Sequence, residues 1–177
     1  MPQYATLTAF GPDRPGLVDA ISGFIVQCRC NIEDSRMAIL GGEFAMLILV
    51  SGDAGDMDRL LKEAPRAGET AGLSVLARRT KAPFEAAPRD TVPYDVEAFS
   101  MDHPGIVHRI AQYLAGRRIN IRSLDTRVTN APVTGQALFS LHATLDIPVQ
   151  QNVAEIRRDL EKIAGQENID IDLRPAK

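Results

Sequence analysis

The same polar turn occurs twice in the chain. Asp13-Arg14-Pro15-Gly16-Leu17 leads into one apolar-periodic run, and Asp102-His103-Pro104-Gly105-Ile106 leads into another, 89 positions later. An acid, a proline and a glycine at a helix start point to anion binding. The first N–H groups of a helix are unpaired, and its N-terminus carries partial positive charge. Gly16 and Gly105 have no Cβ, so a ligand can approach the backbone closely. An Asn-Ile pair, Asn31-Ile32 and Asn120-Ile121, follows each run. An asparagine amide can donate to a carboxylate or accept from an ammonium group. The ligand that suits all these groups is a free α-amino acid. Two other roles remain open: Asp13 and Asp102 as helix N-caps, and Asn31 and Asn120 as holders of turn geometry. Arg14 and His103 share a slot but not a chemistry, so the two sites need not bind equally. Valine in place of Gly16 or Gly105 is expected to impair ligand response more than folding.

Other chemistry is poorly represented. His103 and His108 are five apart, the wrong spacing for shared metal ligation on one helix face, and His142 stands alone. No H-E-x-x-H, G-x-S-x-G or phosphate-binding glycine loop is present, so neither catalysis nor a cofactor is expected. Cys28 and Cys30 are the only cysteines, too few for a four-thiolate zinc site, and they read as small buried residues. Net charge is −3 and no basic run is interleaved with aromatics, which argues against direct nucleic-acid binding. No apolar run reaches the ~18 residues of a membrane span, and no signal-peptide pattern opens the chain. A reduced, cytoplasmic protein is expected.

These residues must be positioned by elements, and the elements repeat. Ala9–Ile32 aligns with Ala98–Ile121 without a gap, with 10 of 24 positions identical. The chain is therefore a tandem duplication. The boundaries expected are 1–80 for the first module, 81–92 for a proline-rich linker and 93–177 for the second module. In the first half, Tyr4–Phe10 reads as a strand, and Pro15–Cys28 as an amphipathic helix with Asp13 placed to cap it. Asn31–Leu40 and Glu43–Val50 read as strands around Gly41-Gly42. A helix from about Asp56 to Ala64 is disturbed at Pro65, and Leu73–Arg79 closes the half. The second half repeats the order: strand Tyr94–Ser100, helix Pro104–Ala115, strands Asn120–Thr129 and Ala137–Asp146, helix Val149–Ala164, strand Ile169–Leu173. The fold class is thus α+β, two tandem ferredoxin-like βαββαβ domains, antiparallel sheets with helices on one face. In Phe44–Val50 both alternating sets are apolar, so the open face of the first sheet should be covered by another sheet or domain, of the same chain or of a second one. Ser140, His142 and Thr144 make the second open face wetter.

A βαββαβ unit with D-x-P-G at the first strand–helix turn, and N-I opening the second strand, resembles the ACT domain, a small-molecule-binding regulatory module that often binds amino acids. The resemblance covers both halves. The stretches GPDRPGLVDAIS and CRCNIEDSRMAILGGEF, with RRT closing the first half, are similar to the glycine cleavage system transcriptional repressor family, which consists of tandem ACT domains without a DNA-binding domain. The resemblance implies a regulator without catalytic activity that acts through protein–protein contact. The implied ligand is an amino acid, glycine above all, and the implied partner is a DNA-binding transcriptional activator. It further implies a ligand held between paired modules near the repeated turn, while the doubly apolar strand Phe44–Val50 favours a homodimer.

Overall fold

The rows of small and branched residues on the central strands decide what packs where. In β1 (Gln3–Pro12) Ala5, Leu7 and Ala9 are buried on one side, while Thr8 and Phe10 are exposed on the other. In β3 (Glu43–Gly52) Phe44, Met46, Ile48 and Val50 extend the buried row. Helix α1 (Leu17–Gln27) covers it with Leu17, Ile21 and Ile25, and helix α2 (Ala54–Ala71) with Met57, Leu60, Ala64 and Gly68. Strands β2 (Asn31–Leu40) and β4 (Ser74–Thr80) form the edges, giving the antiparallel order β2-β3-β1-β4.

The second half builds the same unit. Its strands β5 (Thr91–Met101), β6 (Asn120–Asn130), β7 (Ala137–Pro148) and β8 (Asp170–Pro175) run in the order β6-β7-β5-β8. Helices α3 (Ile106–Gly116) and α4 (Val153–Glu167) bury Ile106, Ile110, Leu114, Ile156 and Leu160 against Val96, Ala98, Leu141 and Leu145. Each half is a βαββαβ unit with an all-antiparallel sheet, the ferredoxin-like α+β arrangement. The computed structural model describes residues 1–82 and 90–176. The chain divides into Met1–Ala87 and Pro88–Lys177. Part of the expected 81–92 linker lies outside the described residues, and Thr91 and Val92 already belong to β5.

Several element boundaries differ from expectation. Helix α2 runs through Pro65 to Ala71. Pro65 lies on the exposed flank, where water can take the Leu61 carbonyl that loses its helical partner. Helix α4 starts at Val153 rather than Val149, because the Asn152 side chain caps it and accepts from the Ala154 and Glu155 N–H groups. The αL turn before β2 is made by Arg29, and that before β6 by Arg118, both at φ 56, so Asn31 and Asn120 do not carry that geometry. Cys28 and Cys30 are buried free thiols, and burial pushes both thiol pKa values up, which makes them poor nucleophiles. No helix among the described residues is long and apolar enough to cross a membrane.

Two glycines test this packing with opposite signs. A Cβ on Gly68 would stand 2.7 Å from Val75 Cγ2 and 2.8 Å from the Leu73 carbonyl oxygen, so Gly68→Ala should cost about 1–3 kcal/mol. A Cβ on Gly23, inside α1, meets nothing within 4 Å, so Gly23→Ala should stabilise by about 0.5–1 kcal/mol. Urea denaturation of both variants checks the pair.

Candidate functional site

Gly16 ends the repeated turn in the left-handed region at φ 90, and Gly105 does so at φ 103. Each is the N-cap residue of its helix, and no side chain caps either helix. Asp13 and Asp102 lie three residues earlier and are not the caps expected from the sequence. Their backbone N–H groups instead tie the turn to the start of the neighbouring strand, Asp13 to the Gly42 carbonyl and Asp102 to the Ala137 carbonyl, each at 2.9 Å. The first intrahelical bonds run from Ala20 N–H to Gly16 O and from Arg109 N–H to Gly105 O. The N–H groups of the three residues between are therefore left for another acceptor. The positive φ also corrects the valine expectation. A β-branched residue is strained at φ 90 or 103, so Gly16→Val and Gly105→Val would damage the fold as well as any site.

In the first unit this turn borders an open depression of about 490 Å³. Its walls are the turn itself and the first helical turn, with Val18 and Asp19, and its floor is Met37, Ile39 and Phe44. Asp13 and Asp19 bring carboxylates to the same space as the unpaired N–H groups. In the second unit, the depression at this end is lined instead by Phe99, Ser100, Met101, Phe139 and the α4–β8 turn, with a volume of about 540 Å³. It does not include residues 102–106. Leu17 and Ile106 are only 2% exposed, so their side chains are core anchors rather than ligand contacts.

Arg14 and His103 do the same job with different chemistry. Arg14 Nη2 donates to the Ala71 carbonyl at 2.8 Å, and His103 Nε2 meets the Glu167 carbonyl at 3.2 Å. Each carbonyl belongs to the last residue of the second helix in its unit. The shared slot thus ties the turn to a helix C-terminus, whose carbonyls lack helical partners. Sequence reading could not find this contact, which spans 57 residues in one unit and 64 in the other. Pro15 and Pro104 are exposed within the turn.

Asn31 and Asn120 lie elsewhere. Strand β2 runs back antiparallel to β3, so Ile39 faces Phe44 at the turn's end of the sheet while Asn31 faces Ser51 at the other. The eight residue steps from Asn31 to Ile39 correspond to about 26 Å of strand. Within a unit, the structure therefore does not bring Asn31-Ile32 or Asn120-Ile121 to the turn. Instead, Asn31 Nδ2 donates to Glu33 Oε1 at 3.2 Å, and Ser51 Oγ donates to the same carboxylate. These two bonds, Ser51 first, hold the Glu33 carboxyl below its ordinary range. Asn120 Nδ2 donates to Asp146 Oδ2 at 3.2 Å, and Arg122 pairs with that buried carboxylate. Glu33 and Arg122 sit where the β2–β3 and β6–β7 registers shift, so each asparagine braces a bulge. Among the described residues, no group of three or more His, Cys, Asp and Glu side chains could hold a metal ion.

Comparison with known proteins agrees with this architecture. The ACT domain family model matches residues 3–77. The glycine cleavage system transcriptional repressor of Escherichia coli (strain K12) is 30% identical over 167 residues, 93% of this chain and 86% of that protein. Among solved structures, a protein of unknown function from Galdieria sulphuraria aligns over the whole of both chains with TM-score 0.83 and 30% identity. A structure assigned as a glycine cleavage system transcriptional repressor aligns over 100% of this chain and 99% of its own with TM-score 0.73 and 25% identity. With a βαββαβ unit in each half and a repressor relative matched over nearly its full length, the chain belongs to the family of tandem ACT-domain proteins that includes the glycine cleavage system transcriptional repressor.

Proposed function

We propose that the chain is an amino-acid-responsive regulator that acts by binding a second protein. The observation that carries the reading is the uncapped start of α1 beside an open depression that also holds two carboxylates. A free amino acid is a zwitterion, and this corner is complementary to it. The N–H groups of Leu17, Val18 and Asp19 suit the α-carboxylate, and Asp13 or Asp19 suits the α-ammonium. Glycine, which brings no side chain, fits a shallow site without further contacts, and the repressor relatives favour it as the ligand. The partner is a DNA-binding transcriptional activator, a choice that suits a chain related to a transcriptional repressor. Sensing lies in the first unit. In the second, the depression of about 540 Å³ at this end is lined by Phe99, Met101 and the α4–β8 turn rather than by residues 102–106, so that half serves structure and partner contact. The chain acts as a homodimer. The open face of its first sheet carries Phe10, Leu47 and Leu76, 54%, 51% and 67% exposed, an apolar row that association would cover.

Four measurements check this reading. Glycine should raise the melting temperature of the chain by the usual linkage of ligand to folded state. Ile39→Glu, at an exposed strand position, should weaken that response at least tenfold, about 1.4 kcal/mol, while the melting temperature without ligand stays near wild type. Arg14→Ala should do the opposite, losing about 1 kcal/mol of stability by freeing the Ala71 carbonyl while leaving the response in place. If no amino acid shifts the melting temperature, the sensor reading fails. Sedimentation should find a dimer that Leu47→Lys converts to monomer, and a monomeric wild type would exclude the proposed assembly.

A further inference from the structure

The turns that leave α1 and α3 are the same backbone motif. Arg29 N–H donates to Val26 O at 2.8 Å and Cys30 N–H to Ile25 O at 3.1 Å. Arg118 N–H donates to Ala115 O at 3.0 Å and Ile119 N–H to Leu114 O at 2.9 Å. This crossed pair of bonds forces the residue after the helix into the left-handed region, where glycine is favoured and asparagine is next. The other two helices among the described residues follow that preference, with Gly72 at φ 72 after α2 and Asn168 at φ 55 after α4. Two residues past α1 and α3 the left-handed residue is arginine both times, at φ 56. The backbone does not ask for arginine at these turns.

Neither packing nor the helix dipole accounts for the repetition. Among the ten identities of the repeat, only Ala9/Ala98 and Ile21/Ile110 are buried in both units, and Arg29 and Arg118 are exposed in both. A cation near a helix C-terminus is favourable, but other side chains already serve these carbonyls. Arg59 Nη1 donates to the Gln27 carbonyl at 3.2 Å, and Gln151 Nε2 to the Arg117 carbonyl at 3.0 Å. Neither the Arg29 nor the Arg118 guanidinium has a hydrogen bond or ion pair among the described residues.

We propose that Arg29 and Arg118 are two equivalent anchors for carboxylates on an acidic protein surface. A guanidinium fork pairs with a carboxylate through two parallel hydrogen bonds, which a lysine cannot do. The two backbone bonds hold each arginine at a rigid helix end, so little order is lost on binding. The chemistry favours a protein carboxylate over a nucleic acid. Polyphosphates bind runs of cations, whereas Glu33 and Asp34 follow Arg29 closely, and Arg117 beside Arg118 is already paired with Glu155 and Asp159. The anchors sit at the far end of α1 from residues 13–19, so they stand or fall independently of the amino-acid site. The glycine-dependent thermal shift reports on that site alone.

The test follows the arginine Nε–Hε signals by NMR during titration of the full chain with a glutamate decapeptide. A lysine decapeptide and inorganic phosphate at matched ionic strength are the controls. The Arg29 and Arg118 signals should move with the glutamate peptide alone. The double variant Arg29→Gly/Arg118→Gly should weaken binding at least tenfold with a melting temperature unchanged or raised, because glycine suits both turns. The double lysine variant should fall between. Three results would overturn the proposal: signals unmoved at millimolar glutamate peptide, phosphate acting as strongly as the peptide, or glycine variants that bind like wild type. A drop in melting temperature on glycine substitution would also overturn it, since it would assign the arginines to holding the helix ends.

Discussion

Each unit depends on burying one face of a four-stranded sheet under two antiparallel helices. The central strand carries small residues on that face, Ala5 and Ala9 around Leu7 in the first unit and Ala98 beside Val96 in the second. Small residues there let the helices sit close, and Gly68 shows how close, since a single methyl would collide with Val75 and the Leu73 carbonyl. The hydrophobic gain from this burial is nondirectional, on the order of 25 cal/mol per Å². It fixes which faces meet but leaves helix ends and strand edges to polar contacts. Those ends carry most of the repeat's exposed identities.

The geometry of two antiparallel helices explains the turn. Such a pair puts the N-terminus of the first helix beside the C-terminus of the second. One end presents unpaired N–H groups and the other unpaired carbonyls. The protein treats the two ends differently. The carbonyl end is closed from within, by Arg14 on Ala71 and by His103 on Glu167. The N–H end is given no side-chain cap in either unit. Helix starts are commonly capped by Ser, Thr, Asp or Asn, and Asn152 does this for α4 in the same chain. A glycine N-cap on α1 and α3 forgoes only roughly a few tenths of a kcal/mol at each and keeps those donors available.

Local patterns were legible in the sequence, and contacts between distant residues were not. The duplication, the Gly41-Gly42 hairpin and the alternation of β3 are short-range signals, and the ferredoxin-like unit follows from them. Pro65 misled because its cost depends on exposure, which a local pattern does not reveal. Asp13 was placed as a cap because acids before a helix usually are caps. The positive φ at Gly16 moves the cap three residues on, and no spacing rule encodes that rotation. Asn31 reads as a neighbour of the turn because it opens the strand that follows the helix. The antiparallel return of β2 carries it to the opposite end of the sheet, where it braces the Glu33 bulge.

The two bulges show how the duplicate halves diverged while keeping one shape. Position 33 is glutamate in the first unit and its equivalent, 122, is arginine in the second. The facing strand compensates, with Ser51 opposite Asn31 and Asp146 opposite Asn120. In both units an asparagine donates to a carboxylate at the same place, although the carboxylate comes from different strands. What persisted is the hydrogen bond rather than the residue that accepts it. The same holds at the Arg14/His103 slot, where two side chains reach the same helix-end carbonyl. Arg29 and Arg118 are different. There the residue itself persisted, on a backbone that would favour glycine, and its guanidinium has no intramolecular contact among the described residues. A contact can be inherited through changing residues when its purpose is internal. An exposed side chain inherited unchanged in both halves points to a requirement outside the fold.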